Sequence, residues 1–172
     1  KDDLRMDIIL GHRILETVLG VTAQGWRTPH FGTFQQMENL DFLYSVLNEL
    51  QYKFSTSTCP QMAYTYGPSF KRSGIIEIPV TGIFNEPFNI MDTWAYFAAP
   101  DRNKAPSDYH QASERLANLA KNKPILINIY GDPSHIHDKP EFFTAMKNLV
   151  DVAKNINYTQ YLGIINDNLR TV

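Results

Sequence analysis

The chain has 172 residues, 43% of them hydrophobic and 20% charged, which suits one globular domain with a sizeable core. The net charge of −2 at pH 7 gives no indication of a nucleic-acid partner. The single cysteine, Cys59, excludes an internal disulfide framework, and the sequence shows neither a membrane-length apolar run nor a signal peptide. Because the chain starts at Lys1 without Met, inside a predicted helix, we expect it to be a piece of a longer protein.

The first half of the chain alternates predicted helices and strands. Residues 2–19 form a predicted helix that Gly20 ends, and its predicted apolar face is Ile8, Ile9, His12, Leu15 and Leu19. On that face, a buried histidine with polar partners is expected at His12. A second helix is predicted from residue 38 or 39 to residue 50, followed by a strand over 52–57. This alternation is typical of βαβ units and a mainly parallel sheet.

The middle of the chain is predicted to be more irregular. Residues 58–73 contain two prolines and a glycine and are predicted to form a long loop, whereas residues 75–80 form the clearest strand. Residues 83–106 lack periodicity but hold five aromatic residues: Phe84, Phe88, Trp94, Tyr96 and Phe97. Such a segment either covers a cleft or packs over the sheet as part of the core.

The last third is predicted to continue the helix–strand alternation. A helix is predicted over 107–122 with Ser107 as its N-cap, and then a buried strand over 125–130. A helix over 140–154 follows, with the inward residues Phe143, Met146, Leu149, Val150 and Ala153. A short strand near 157–159 and a helix to residue 170 complete the prediction.

The segment from Gly25 to Gly32, Gly-Trp-Arg-Thr-Pro-His-Phe-Gly, concentrates residue types that a reaction site uses. Arg27 offers five fixed donors to a carboxylate or an oxyanion. Pro29 fixes the direction of the loop, and Gly32 permits a sharp exit or a close approach to a ligand. The alternative is a strand end followed by a turn, with Arg27 in a structural ion pair.

A second reactive cluster follows the predicted strand 125–130. Asp132, His135 and His137 lie at the carboxyl end of that strand, the edge where α/β sheets bind ligands. In an extended segment His135 and His137 share a face and could hold a metal ion. Structural or solvent-exposed histidines are the alternative.

Four segments resemble, in the same order, the polysaccharide deacetylases with the NodB homology domain. Arg27–Gly32 resembles the third family motif, and the likeness continues through residues 52–57, 74–80 and 133–136. The resemblance implies an α/β fold, a partial or distorted (β/α) barrel of mainly parallel strands alternating with helices. It also implies a single domain over residues 1–172 that lacks its N-terminal strands.

Members of that family remove N-acetyl groups from a cell-surface polysaccharide, outside the cytoplasm, by hydrolysis assisted by a divalent metal such as zinc. The resemblance implies that Arg27 orients a base and that the backbone at His30 helps to bind the oxyanion. His135 is the candidate acid, and with His137 it is a candidate metal ligand. The expected substrate-binding residues are Trp26, Pro29, Phe31, Trp94, Tyr130 and Asp132.

The chain also departs from the family pattern. The Asp-Asp and His-x-x-x-His motifs, which supply the base and the metal ligands, are absent, so most ligands for the metal are missing. The final leucine–histidine ending is replaced by Tyr130-Gly131-Asp132, and Ser55 stands where many relatives have aspartate. Three explanations are therefore open. The chain is either the later part of an active deacetylase or a degenerate carbohydrate-binding domain that uses Trp26, Trp94 and a tyrosine-rich loop. The third explanation is that it belongs to an unrelated (β/α) barrel.

Overall fold

The structure, a computed structural model, describes residues 1–94, 104–165 and 169–172. These residues form two compact units. The first unit comprises residues 1–79 and 162–172, and the second comprises residues 80–161. In the described part of the chain, no helix is both long and apolar enough to cross a membrane.

Short strands alternate with longer helices along the described chain. The helices are α1 (Asp2–Leu19), α2 (Met37–Glu49), α3 (Pro60–Tyr66), α4 (Pro106–Asn122), α5 (Pro133–Asp138), α6 (Glu141–Val152) and α7 (Tyr158–Ile165), with a 3₁₀ turn at Gly32–Gln35. The strands are β1 (Gly25–Trp26), β2 (Phe54–Ser55), β3 (Phe70–Arg72), β4 (Ile75–Glu77), β5 (Gly82–Ile83), β6 (Glu86–Ile90) and β7 (Arg170–Thr171).

The first unit is built on a five-stranded sheet in the order β1-β2-β4-β3-β7. Strands β1, β2 and β4 are parallel neighbours, β3 is antiparallel to β4, and β7 is parallel to β3. A mixed α/β fold with parallel strands is thereby confirmed. Among the described residues the sheet is open, with β1 and β7 at its edges, so the closure that defines a barrel is not seen.

The hydrophobic core of the first unit lies between the sheet and α2. Its buried residues are Ile8, Leu40, Leu43, Tyr44, Val46, Leu47, Tyr52 and Ile75. The predicted bounds of α1 and its end at Gly20, with φ of 65°, are confirmed. Its predicted face is wrong at Leu15 and Leu19, which are exposed, whereas His12 is buried with its Nδ1 3.2 Å from the hydroxyl of Tyr52.

The predicted loop over residues 58–73 is wrong, because it contains α3 and β3. Pro60 stands at the first position of α3, where its missing N–H costs no helical hydrogen bond. Gly67 then ends the helix with φ of 102°, and Ser73 and Gly74 form the left-handed turn between β3 and β4. Residues that predict a loop by composition thus serve here as helix ends and a hairpin turn.

The second unit has its own core, between α4 and α6. The rings of Tyr109 and Phe142 pack edge to face with centroids 5.0 Å apart. The inward face of α6 is Phe142, Ala145 and Leu149, so the predicted inward positions Phe143 and Val150 are wrong and are exposed. The predicted start of the preceding helix is also wrong, because Ala105 and not Ser107 is the N-cap of α4.

Two predicted strands of the second unit are absent from the described residues. Residues 125–130 contain one isolated bridge, between Tyr130 and Asp92. Strands β5 and β6 pair with each other in a hairpin, and the N–H of Met91 donates to the carbonyl of Thr81 beside it. Residues 157–159 belong mainly to α7 and not to a strand. The last helix is described over Tyr158–Ile165, residues 166–168 of its predicted range lie outside the described residues, and residues 170–171 form β7.

Close packing between β1 and β2 makes Gly25 a sensitive position. A Cβ atom at Gly25 would lie 2.0 Å from Cζ of Phe54, a buried ring that cannot move without disturbing the core. We expect Gly25→Ala to lower the free energy of unfolding by about 1–3 kcal/mol, measured by chemical denaturation.

Gly11→Ala is the matched control, because Gly11 lies within α1 and a Cβ there meets no atom within 4 Å. The control should raise stability by about 0.5–1 kcal/mol, since alanine favours a helix. Equal stability of the two variants would contradict the packing described for β1.

Candidate functional site

The carboxyl ends of β1 and β2 bring Arg27 against the segment that follows β2. The Nε of Arg27 donates to the hydroxyl of Thr56 at 2.5 Å, and the side chain of Arg27 is half-buried. Next to this bond, the N–H of Thr28 donates to the hydroxyl of Ser57 at 3.1 Å, and the N–H of Thr56 donates to the carbonyl of Trp26 at 2.9 Å. Two hydrogen bonds thus hold the segment around Arg27 against the segment after β2, and the third joins the guanidinium itself to Thr56.

A buried carboxylate lies directly behind this segment. Glu77, at the end of β4, is 0% exposed. Its Oε1 accepts from the N–H of Ser57 at 2.8 Å and from both the N–H and the hydroxyl of Thr58, at 2.9 and 2.8 Å. Its Oε2 accepts from the hydroxyl of Tyr44, on α2, at 2.9 Å. The carboxylate therefore ties the segment after β2 to the neighbouring strand and helix.

A glutamine side chain joins the two loops at their outer ends. The amide N–H₂ of Gln35 donates to the carbonyl of Ser57 at 3.1 Å and to that of Phe31 at 3.4 Å. Its amide oxygen accepts from the N–H of Cys59 at 2.7 Å. The loop that carries Arg27 and the loop after β2 are consequently one hydrogen-bonded assembly, which we call the strand-end cluster: residues 27–35 and 55–59 with Glu77.

The loop between Pro29 and Gln35 has an unusual backbone. His30, Phe31 and Gly32 have φ values of 57°, 55° and 40°, in the left-handed region that L-residues rarely adopt. This turn points Phe31 inward, where it is 3% exposed, and leaves Pro29 and His30 at the surface. A strained backbone at two non-glycine residues is a feature that functional sites often carry.

The structure places the predicted ligand-contacting aromatics of the first unit differently from the expectation. Phe31 is buried and offers no ring face to a sugar. Trp26 is partly buried against the core, where it meets Tyr52 edge to face with centroids 6.2 Å apart. The indole Nε1 of Trp26 and the hydroxyl of Thr28 are buried without a hydrogen-bond partner among the described residues.

The second unit holds a separate polar group at the bridge between Asp92 and Tyr130. The hydroxyl of Tyr130 donates to Oδ2 of the buried Asp92 at 2.5 Å. The hydroxyl of Thr93 accepts from the N–H of Asp132 at 2.8 Å and lies 3.1 Å from Nδ1 of His135. The Thr93 hydroxyl can donate its proton to Nδ1 or accept one from it, according to the tautomer of His135.

Asp132 has a structural role at the start of α5. Its Oδ1 accepts from the N–H and the hydroxyl of Ser134, at 2.8 and 2.6 Å, so it is the N-cap of the helix. These bonds hold the pKa of Asp132 below its ordinary value. Trp94, another predicted substrate contact in this unit, is 48% exposed and available to a ligand.

The residues present do not fit the metal that the resemblance implies. His135 and His137 lie in α5, where residues two apart point about 200° from each other, so the extended geometry needed for a shared face is absent. The described ranges contain no group of three or more His, Cys, Asp or Glu that could hold a metal ion.

Several residues of these two sites were not singled out from the sequence: Gln35, Thr56, Ser57, Glu77, Asp92 and Thr93. Glu77 could have been found, because it is the one charged residue in the apolar stretch Ile75-Ile76-Glu77-Ile78. A charge in a buried strand requires partners, which is a signal in itself. For Gln35 and Thr93, the sequence gives no such signal.

The comparison with solved structures supports the fold. The chain is similar to a crystal structure of a protein described as a "putative polysaccharide deacetylase" from Mycobacterium smegmatis, with a TM-score of 0.69 and 15% sequence identity over 99% of this chain. The chain spans 60% of that protein's length. No family model and no curated protein matches the sequence. At this identity the likeness establishes a shared fold, the fold to which four sequence segments pointed.

The buried position of Glu77 predicts a specific dependence of stability on pH. Burial raises the pKa of Glu77 above its ordinary value, and its hydrogen bonds, including those from Thr58 and Tyr44, oppose that rise only in part. Protonated Glu77 then contributes fully to the free energy of unfolding below its pKa in the unfolded chain, about 4.3. This contribution is lost as pH rises through the pKa of Glu77 in the folded protein.

We expect the free energy of unfolding of the wild type, minus that of Glu77→Gln, to decrease as pH rises above about 4.3. Glutamine mimics the protonated acid and does not titrate, so the subtraction cancels the other ionisable groups. Denaturant unfolding of both proteins between pH 4 and pH 8 measures this difference. A difference that stays flat or increases with pH would contradict the raised pKa.

Proposed function

We propose that this chain is part of a polysaccharide deacetylase-like protein that hydrolyses N-acetyl groups on a cell-surface polysaccharide. The observation that carries the proposal is the shared fold over 99% of the chain. The proposal includes a longer polypeptide that completes the partial (β/α) barrel and acts in the cell envelope. The four motif-like segments and the position of Arg27 at the strand ends support it.

In this proposal Arg27 orients a carboxylate that acts as the base. The bond from its Nε to Thr56 fixes the direction of the guanidinium plane, as bidentate recognition of a carboxylate requires. The backbone at His30, in its strained turn, helps to bind the oxyanion. His135 is the proposed acid, because Thr93 holds its Nδ1 and so orients Nε2 for proton transfer.

A second candidate is a carbohydrate-binding module without catalytic activity. The observation that favours it is the exposure of aromatic rings suited to stacking on pyranose faces, including Trp94 and Phe88 in the second unit and Tyr64 in the first. Acetate release that requires zinc would favour the enzyme. Binding of the glycan with equal affinity in the presence of a chelator, without acetate release, would favour the module.

The direct test is acetate release from an N-acetylated polysaccharide by the natural full-length gene product, assayed with zinc. We expect Arg27→Ala to lower kcat/KM by about 100-fold or more, since a charge that organises the transition state is lost.

Arg72→Ala is the matched control. Arg72, on β3, is also a part-buried arginine of the first unit, but it pairs with Asp41 of α2 at 2.6 Å and has no hydrogen bond to the described residues of the strand-end cluster. Its loss should change stability and leave kcat/KM within about threefold. If Arg27→Ala keeps as much activity as Arg72→Ala, the assigned site is wrong.

A further inference from the structure

Glu77 has a hydrogen-bond arrangement that fold stability alone does not require. A fully buried carboxylate is costly unless its oxygens are satisfied, and an apolar side chain of similar size often serves a core equally well. Here one oxygen accepts three bonds from Ser57 and Thr58, and the other accepts one from Tyr44. The carboxylate thus satisfies two consecutive backbone N–H groups of a loop that is itself buried.

The same loop supplies the contacts that hold the motif residues after β1. Thr56, immediately before the bonded pair, accepts from Nε of Arg27, and Ser57 accepts from the N–H of Thr28. Ser55 adds a bond from its hydroxyl to that of Ser57 at 2.9 Å. Glu77 is therefore connected to Arg27 by its hydrogen bonds to Ser57 and Thr58, by the backbone that joins them to Thr56, and by the bond from Arg27 to Thr56.

We propose that Glu77 is a positioning residue for Arg27: by fixing the backbone of Ser57 and Thr58, it holds the Thr56 hydroxyl that receives the guanidinium. The catalytic consequence of this role rests on the proposed function, whereas the positioning itself does not. Glu77 is fully buried and bonds to Ser57, Thr58 and Tyr44, so its effect on Arg27 passes through the loop.

The bonding pattern shows which feature of Glu77 performs this role. A glutamine at position 77 can keep its oxygen on the three donors of Ser57 and Thr58 and donate its N–H₂ to the hydroxyl of Tyr44. The acceptor oxygen, and not the negative charge, is what the loop needs. Glu77→Gln should therefore preserve the position of Arg27, and removal of the acceptor should release it.

The test follows the Nε–H group of Arg27 by NMR in the natural full-length gene product labelled with ¹⁵N-arginine. Its resonance is assigned by its loss in Arg27→Lys, and the Nε–H of Arg72, held by Asp41, is the internal reference. Three variants are compared: Glu77→Gln, Glu77→Ala, and Thr58→Val, which deletes a single donor to Glu77 with little change in shape.

We expect solvent exchange of the Arg27 Nε–H, relative to that of Arg72, to stay within about twofold in Glu77→Gln and to rise at least about tenfold in Glu77→Ala. Thr58→Val should give a smaller rise of the same sign, and it keeps the test decisive if Glu77→Ala does not fold. Because global destabilisation accelerates exchange at both arginines, a selective rise at Arg27 separates positioning from a merely structural role.

The proposal would be overturned if the exchange rates at Arg27 and Arg72 rose by the same factor in both Thr58→Val and Glu77→Ala. If Glu77→Ala does not fold, the same result in Thr58→Val alone would overturn it. A selective rise accompanied by unchanged acetate release in Arg27→Ala would instead uphold the positioning role and reject the proposed function. In an active enzyme, Thr58→Val should lower kcat with little change in KM, and Glu77→Gln should keep both near wild type.

Discussion

The buried carboxylate of Glu77 is the constraint on which the end of the first unit's sheet depends. It is the acceptor for two backbone N–H groups and two hydroxyls, all in the protein interior. A buried polar group that loses its hydrogen-bond partner costs about 1–3 kcal/mol. Movement of the loop after β2 would leave several buried donors and acceptors without partners at the same time. That loop consequently has one favoured conformation, and the residues bonded to it take their positions from it.

This constraint links ordinary core packing to candidate chemistry. The apolar stripe of α2 buries Tyr44 against the sheet, where its hydroxyl meets Glu77. Gln35 joins the strained turn at residues 30–32 to the same loop. Arg27 is bonded to that loop at Thr56, so both the residue and the turn that follows it are held by the loop. The second unit uses a different device, in which the hydroxyl of Thr93 organises the N-cap of α5 and the ring of His135.

Local patterns in the sequence predicted the elements that local forces determine. The bounds of α1, the stripe of α2 and the strand at 75–77 follow from periodicity and end signals that lie within each segment. Residues 125–130 meet Asp92 through an isolated bridge at Tyr130, and a contact between segments so far apart in the chain was not predictable from local patterns. Likewise, Arg27 was found from its motif, but the inward turn of Phe31 follows from a left-handed backbone that the sequence does not encode by residue type.

We propose that a glycan is bound at the carboxyl ends of β1 and β2, beside Arg27. The most direct test is to titrate the natural full-length gene product, labelled with ¹⁵N-arginine, with an N-acetylglucosamine oligomer and to follow each Nε–H resonance. We expect the Arg27 resonance to shift in proportion to occupancy, while that of Arg72, which pairs with Asp41 of α2, stays in place. A saturating titration in which the Arg27 resonance does not move would contradict it.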